Sequence, residues 1–170
     1  KGAGDLPVSV KTRLGFNKDE VETWIPNLLK EDIAVLTVHA RTKKDMSKVP
    51  ARWDRLKRIV EIRDKMKKET LIFGNGDATD LADGKQKVKD FNVDGVMFGR
   101  AIFGNPWLFN EDIKDVSVEE KLKVMLEHTK LFVDVLGPHK NFNIMKKHYK
   151  AYVNNFPGAK ELRISLMEKE

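Results

Sequence analysis

Cysteine is absent from these 170 residues. That excludes disulfides, thiolate metal ligands and a cysteine nucleophile or acid within the chain. No HExxH, paired-cysteine or EF-hand spacing occurs, so no metal site is expected. Long apolar runs are missing too, none approaching the roughly 18 residues needed to span a membrane. Acid is in deficit: 26 Asp and Glu stand against 32 Lys and Arg, leaving a net charge of +6 and a pI near 9.4. An excess of that sign points to an anionic partner. Tryptophan is scarce, and Trp24, Trp53 and Trp107 are expected to pack helices or a joint between domains rather than hold a ligand. The cytoplasm is the expected compartment.

Strand and helix signals alternate over residues 1–105. Residues 7–13 form a β-branched run ended by Gly15. Asn17 can cap a helix over 18–31, with Asp19 and Glu20 in its first turn and Pro26 expected to kink or divide it. A strand at 33–38 leads into His39-Ala40-Arg41 and a polar loop through Pro50. A basic helix over 52–68 carries Trp53, Leu56, Ile59, Val60 and Arg63 at helical spacing. A strand at 71–73, a helix at 79–91 and a strand at 93–98 complete the series. Strands at intervals of about 25 to 35 residues, separated by helices, read as βαβ units with a parallel sheet.

The pattern changes after Asn105-Pro106. Helices are expected over 118–136, 142–155 and 159–168, the first capped by Ser117 and stopped by Gly137-Pro138. Met145, Tyr149, Tyr152, Val153 and Phe156 share one helical stripe, the expected core face. His128 reads as a partly buried or surface histidine. From Pro138 to Arg163 six bases (Lys140, Lys146, Lys147, Lys150, Lys160, Arg163) face one acid, Glu161, a charge run that suits either a solvated face or nucleic-acid phosphates. The expected domains are a half α/β unit over 1–112 and a small all-helical domain over 113–170.

Two short apolar strands run into glycine turns, Gly74-Asn75-Gly76-Asp77 and Gly95-Val96-Met97-Phe98-Gly99-Arg100-Ala101. Such turns bare backbone N–H groups and make anion sites beside helix N-termini. In tandem they suggest the phosphate-gripping loops of strands seven and eight of a TIM barrel. Asn75 and Asp77 could equally be ordinary turn formers, and Arg100 a helix-start cation. Lys11 with Arg13, and His39 with Arg41, sit where two strands end, and read either as solvated charges or as a polar anion site. Four strands cannot close an eight-stranded barrel and leave two exposed edges. The chain starts at Lys1 and enters strand-like sequence almost at once, so it is expected to be part of a longer polypeptide, with self-association through the edges as the alternative.

The chain resembles the C-terminal half of the tRNA-dihydrouridine synthases. The resemblance rests on the run from Pro7 to Gly15, on Leu36-Thr37-Val38-His39-Ala40-Arg41-Thr42, on both glycine turns, on Gly104-Asn105-Pro106-Trp107-Leu108-Phe109, on Lys146-Lys147-His148 and on Pro157-Gly158-Ala159. It implies half of a TIM (β/α)8 barrel, strands five to eight, followed by a helical tRNA-binding domain. It also implies an FMN-dependent oxidoreductase that reduces the C5–C6 bond of selected uridines in tRNA, with NADPH reducing the flavin. By motif, Lys11 and His39 would contact the flavin region, and Asn75, Gly76, Asp77, Gly99 and Arg100 would hold its phosphate. Arg13 and Arg41 would help bind the target uridine or its phosphate, and Lys146, Lys147 and Lys150 the tRNA. The family's catalytic acid is a cysteine outside this stretch, which implies that this piece is inactive alone. Ala40, Ser47, Val49 and Asn143 depart from the family's usual Gly, Tyr, Gly and Arg.

Two other readings stand beside this one. The first is a non-catalytic tRNA- or RNA-binding module built on a half-barrel scaffold. The second is a metabolic phosphate-binding TIM-barrel enzyme, which the basic helical tail argues against.

Overall fold

The structure is a computed structural model and describes residues 2–113 and 115–168. Four strands, β1 (Ser9–Arg13), β2 (Val35–His39), β3 (Leu71–Asn75) and β4 (Gly95–Met97), pair in chain order, all parallel. Three helices link them: α1 (Val21–Lys30), α2 (Trp53–Lys65) and α3 (Leu81–Phe91). Three more follow, α4 (Val118–Leu136), α5 (Asn143–Tyr152) and α6 (Ala159–Glu168). The result is the mixed α/β architecture that the alternating signals predict.

Strand alternation sorts the sheet into two faces. Leu36, Val38 and Ile72 are fully buried on one face, beside Val21, Ile25 and Leu29 of α1 and Leu56 and Ile59 of α2, in a single apolar cluster. The other face carries Lys11 and Arg13, Thr37 and His39, Phe73 and Asn75, Gly95 and Met97, turned away from the apolar cluster that α1 and α2 form with the sheet. Leu71, on that same face, is 44% exposed. Ion pairs tie α2 to α1 and the loop before it: Arg55 bonds Asp19 through both Nε and Nη2, and Arg58 bonds Glu22 the same way. These pairs are exposed enough to stabilise only modestly.

Several local expectations change. Helix α1 starts at Val21, not at 18, because Leu14 to Glu20 close a loop through Glu20 N–H to the Leu14 carbonyl (2.7 Å). Asn17 therefore caps nothing there; the Asp19 carboxylate takes the Val21 N–H instead. Pro26 lies inside α1 without dividing it, and the Asn27 amide bonds the Thr23 carbonyl in the same turn. Trp24 is not core. It is 43% exposed, with its indole N–H on Thr12 Oγ1 at 3.0 Å beside the outer edge of β1. The second glycine turn leads only into a three-residue 3-10 turn, Arg100–Ile102, and α3 begins five residues after Gly76, at Leu81. Neither glycine turn therefore runs directly into an α-helix.

The chain separates into two compact units, Lys1–Ala101 and Ile102–Glu170. Within the second, α4, α5 and α6 close over Met125, Phe132, Met145, Tyr149, Tyr152, Val153 and Ala159. Ser117 caps α4 by accepting the Glu120 N–H, as the sequence predicts. Four of the five stripe residues are buried and Phe156 is half-buried. Among the described residues no helix is long and apolar enough to cross a membrane.

Candidate anion site at the strand ends

The last residues of the four strands, Arg13, His39, Asn75 and Met97, lie side by side in register. They share the face opposite α1 and α2. Just beyond them a hollow of about 660 Å³ is lined by His39, Arg41, Asn75, Gly76, Asp77, Gly99 and Arg100, among others. Six of the seven residues expected to hold a cofactor therefore meet in one place, together with Arg41. Lys11 and Arg13 instead line a second hollow of about 680 Å³ at the outer edge of β1, with Phe16, Trp24 and Lys43. Arg13 donates to the Thr42 carbonyl at 3.1 Å, which ties the β1 end to the loop after β2.

Arg41 is the centre of the first hollow and is only 3% exposed. Its Nε donates to the Val49 carbonyl (2.6 Å), Nη1 approaches His39 Nε2 (3.3 Å) and Nη2 donates to Asp77 Oδ2 (2.5 Å). A buried guanidinium needs such partners, because an unpaired charge out of water is strongly destabilising. Asp77 is consumed in turn. Its Oδ2 also accepts the Ala51 N–H (2.9 Å), and its Oδ1 accepts from Arg100 Nη2 (3.2 Å). Hydrogen bonding from Arg41 leads the causes that hold the Asp77 carboxyl below the usual carboxylate range. Asn75 is buried and donates its amide to the Met97 carbonyl, closing the gap between the ends of β3 and β4.

Burial, then the positive charges of Arg13, Arg41 and Lys11, push His39 down to about 4. It is neutral at pH 7. Because Arg41 can only donate, Nε2 is the accepting nitrogen and the ring proton sits on Nδ1. The folded ring takes its proton only near pH 4, whereas an unfolded histidine takes one near 6.5. Between those values the unfolded chain binds more protons, so stability falls as pH drops through that window. NMR titration of the His39 ring should return an apparent pKa near 4. The urea midpoint of His39→Gln should fall less between pH 7 and 4.5 than that of the parent chain.

Sequence reasoning missed two supports. Trp53 is the buried platform of the site: its indole N–H donates to the Gly76 carbonyl at 2.8 Å, and Gly74 leaves the space its ring fills. Thr42 and Asp45 lock the loop after β2 by exchanging backbone-to-side-chain bonds of 2.8 and 3.1 Å, with Arg52 on Asp45. The Thr-x-x-Asp spacing was the available signal for that turn.

On α5, Lys147 and Lys150 are exposed, while Lys146 is half-buried and donates to the Met167 carbonyl near the end of α6 (3.1 Å). Lys150, Lys160 and Arg163 line a small groove with Ile164 and Met167. Arg163 is partly committed, since it donates to the Val153 carbonyl (2.6 Å). His128 is half-buried with Nδ1 beside the Tyr152 hydroxyl at 3.2 Å, and Trp107 is half-buried.

These features define a parallel α/β protein with a polar, cation-bearing site at the carboxyl ends of its strands, the usual place for function in such sheets. The family model for dihydrouridine synthase (Dus) matches residues 1–170. A probable tRNA-dihydrouridine synthase of Staphylococcus aureus (strain MRSA252) is 39% identical over 170 residues, 99% of this chain and 52% of the relative. One from Staphylococcus epidermidis (strain ATCC 12228 / FDA PCI 1200) shows the same identity and coverage. A probable tRNA-dihydrouridine synthase 2 of Bacillus subtilis (strain 168) is 40% identical over 167 residues, 97% of this chain and 51% of the relative. The chain belongs to the dihydrouridine synthase family and spans about half the length of the curated relatives it matches.

Proposed function

We propose that this chain forms strands five to eight of a TIM barrel, with a helical tRNA-binding part, in a flavin-dependent tRNA-dihydrouridine synthase. The carrying observation is the row Arg13, His39, Asn75 and Met97 on the sheet face opposite α1 and α2, ending at the cationic hollow. That face is what a barrel turns inward, and the hollow lies where barrel enzymes work.

The donor set suits a flavin mononucleotide. A Cβ at Gly99 would meet nothing within 4 Å, so backbone is open to a phosphate there. Arg100 lies beside it with a side chain 67% exposed. Together they would hold the phosphate. Neutral His39 offers its Nδ1 proton as a donor, and the exposed Lys11 ammonium can neutralise negative charge on the ring system. When bound, the flavin would supply the two-electron reduction of the uracil C5–C6 bond, after recharging by NADPH. Arg13, held by the Thr42 carbonyl, would orient the uridine. Arg41 would act from beneath, because its own donors face Val49, His39 and Asp77. The proton for the other ring carbon would come from a cysteine outside this chain, so the piece alone would be inactive. Lys147 and Lys150 would meet tRNA phosphates.

An FMN titration followed by flavin fluorescence tests this reading. It should use the 170-residue chain and a hybrid carrying the upstream half of the Staphylococcus aureus relative. Saturable binding by the hybrid is expected, weakened at least tenfold by Arg100→Ala. If neither protein binds FMN while both bind tRNA in a salt-sensitive manner, the RNA-module reading replaces it.

A further inference from the structure

We propose that Asp77 acts as a positioning residue for the anion: it anchors Arg100 from behind, so that the guanidinium presents its remaining N–H groups to a phosphate. The inference rests on the anion-site reading above and assigns Asp77 a role that does not require contact with the ligand.

A carboxylate lining a phosphate hollow is at first sight misplaced, since like charges repel. Its contacts resolve the conflict. Oδ2 is occupied twice, by buried Arg41 and by the Ala51 N–H, which fasten the loops after β2 and β3 to each other. Oδ1 receives only Arg100. Arg41 spends donors on Val49, His39 and Asp77 and is buried, so its charge is matched by Asp77 rather than offered outward. Among the described residues lining this hollow, the mostly exposed cation is Arg100. Arginine has five N–H donors in a rigid fork. One on Asp77 leaves the rest free and fixes the direction in which they point. An arginine already restrained loses less side-chain freedom on binding than one free in solvent. Asp77 itself is at φ 56°, a conformation that Asp and Asn tolerate.

That conformation gives a selective variant. In Asp77→Asn the amide oxygen can keep the doubly used Oδ2 place, and the amide NH2 then faces Arg100, donor against donor. Arg100 is released while Arg41 and Ala51 keep an acceptor.

The test is a titration of the 170-residue chain with inorganic phosphate, followed by NMR shifts of the Gly99 and Arg100 amides. Asp77→Asn should weaken phosphate about five- to tenfold, and the well-exposed Arg100→Lys, which keeps charge but loses the fork, should weaken it comparably. In an Arg100→Ala background, Asp77→Asn should change affinity less than twofold. Tighter binding by Asp77→Asn would show that Asp77 merely repels the anion and would overturn the proposal. An equal loss with and without Arg100 would overturn it too, by assigning the effect to the loop. If the parent chain binds phosphate and Asp77→Asn binds it equally, this inference alone is lost. If the parent chain binds no phosphate, the anion site goes with it.

Discussion

Replacing Trp53 with alanine is expected to destabilise the chain by about 3–5 kcal/mol, the usual range for truncating a buried aromatic. Trp53 is 6% exposed, opens α2 and stacks at a tilt against Phe91 of α3 with ring centroids 5.6 Å apart. Its ring fills the notch over Gly74, where a Cβ would stand 2.4 Å from Cζ3. Truncation therefore empties the space joining α2, α3 and β3 at once. It also leaves the Gly76 carbonyl without its indole partner. Trp53→Phe separates these effects. It keeps most of the packing and loses the N–H bond, which should cost about 1–2 kcal/mol and weaken phosphate or FMN binding through a loosened Gly76 turn. Urea denaturation of the two variants, read beside ligand titration, checks both parts. Equal stability of parent and Trp53→Ala would remove the platform role.

The second large effect is expected at Gly104, in the helical unit. Gly104 adopts φ 70°, and a Cβ there would lie 2.2 Å from the Ala151 carbonyl oxygen and 2.9 Å from the Tyr152 nitrogen. Both neighbours are backbone of α5, which cannot swing aside as a side-chain tip would. Gly104→Ala must lift the turn off α5 or bend the last turn of that helix. Overpacking of this kind costs about 1–3 kcal/mol, and the left-handed conformation adds about 1 kcal/mol for a residue with a Cβ. The last turn of α5 carries Tyr149 and Tyr152, both in the core of the unit. Amide hydrogen exchange should show the loss concentrated between residues 145 and 155. A variant with unchanged exchange there would mean the turn yields at no cost.

Much of the fold was legible because it rests on periodicity. The four strands, and the bounds of α4 and α6, follow from apolar spacing and from caps whose chemistry is local, such as Ser117 on the Glu120 N–H. The start of α1 was not, since Asn17 looks like a cap with Asp19 and Glu20 as first-turn acids. The choice was made by the closed loop from Leu14 to Glu20, a contact that no helical pattern encodes. Trp24 misled for a related reason: a large indole usually signals core, but here it leans on Thr12 at the outer edge of β1. The grouping of His39 with Asn75, Gly76, Asp77, Gly99 and Arg100 could be anticipated from strand ends and glycine turns. What those side chains bond to could not. Arg41 and Lys146 read as available cations, yet one is buried among three acceptors and the other closes on the Met167 carbonyl. Sequence shows charge; only packing shows whether the charge is already spoken for.

The two faces of the sheet have unequal tolerance for change. Leu36, Val38 and Ile72 hold the helices, so a substitution there melts the unit whatever it does to chemistry. Arg13, His39 and Met97, at the same strand ends but turned the other way, carry little of that load and can be exchanged with the scaffold left standing. Such a sheet is evolvable: new ligand preferences can be sampled on one side by single substitutions. Arg41 and Asp77 bridge loop architecture and ligand chemistry, so removing the acceptor at 77 or the guanidinium at 41 disturbs both. Random libraries over this chain, screened for folding alone, should accordingly recover diverse folded replacements at residues 13, 39 and 97, and few beyond Asp77→Asn at 41 and 77 unless both vary in concert.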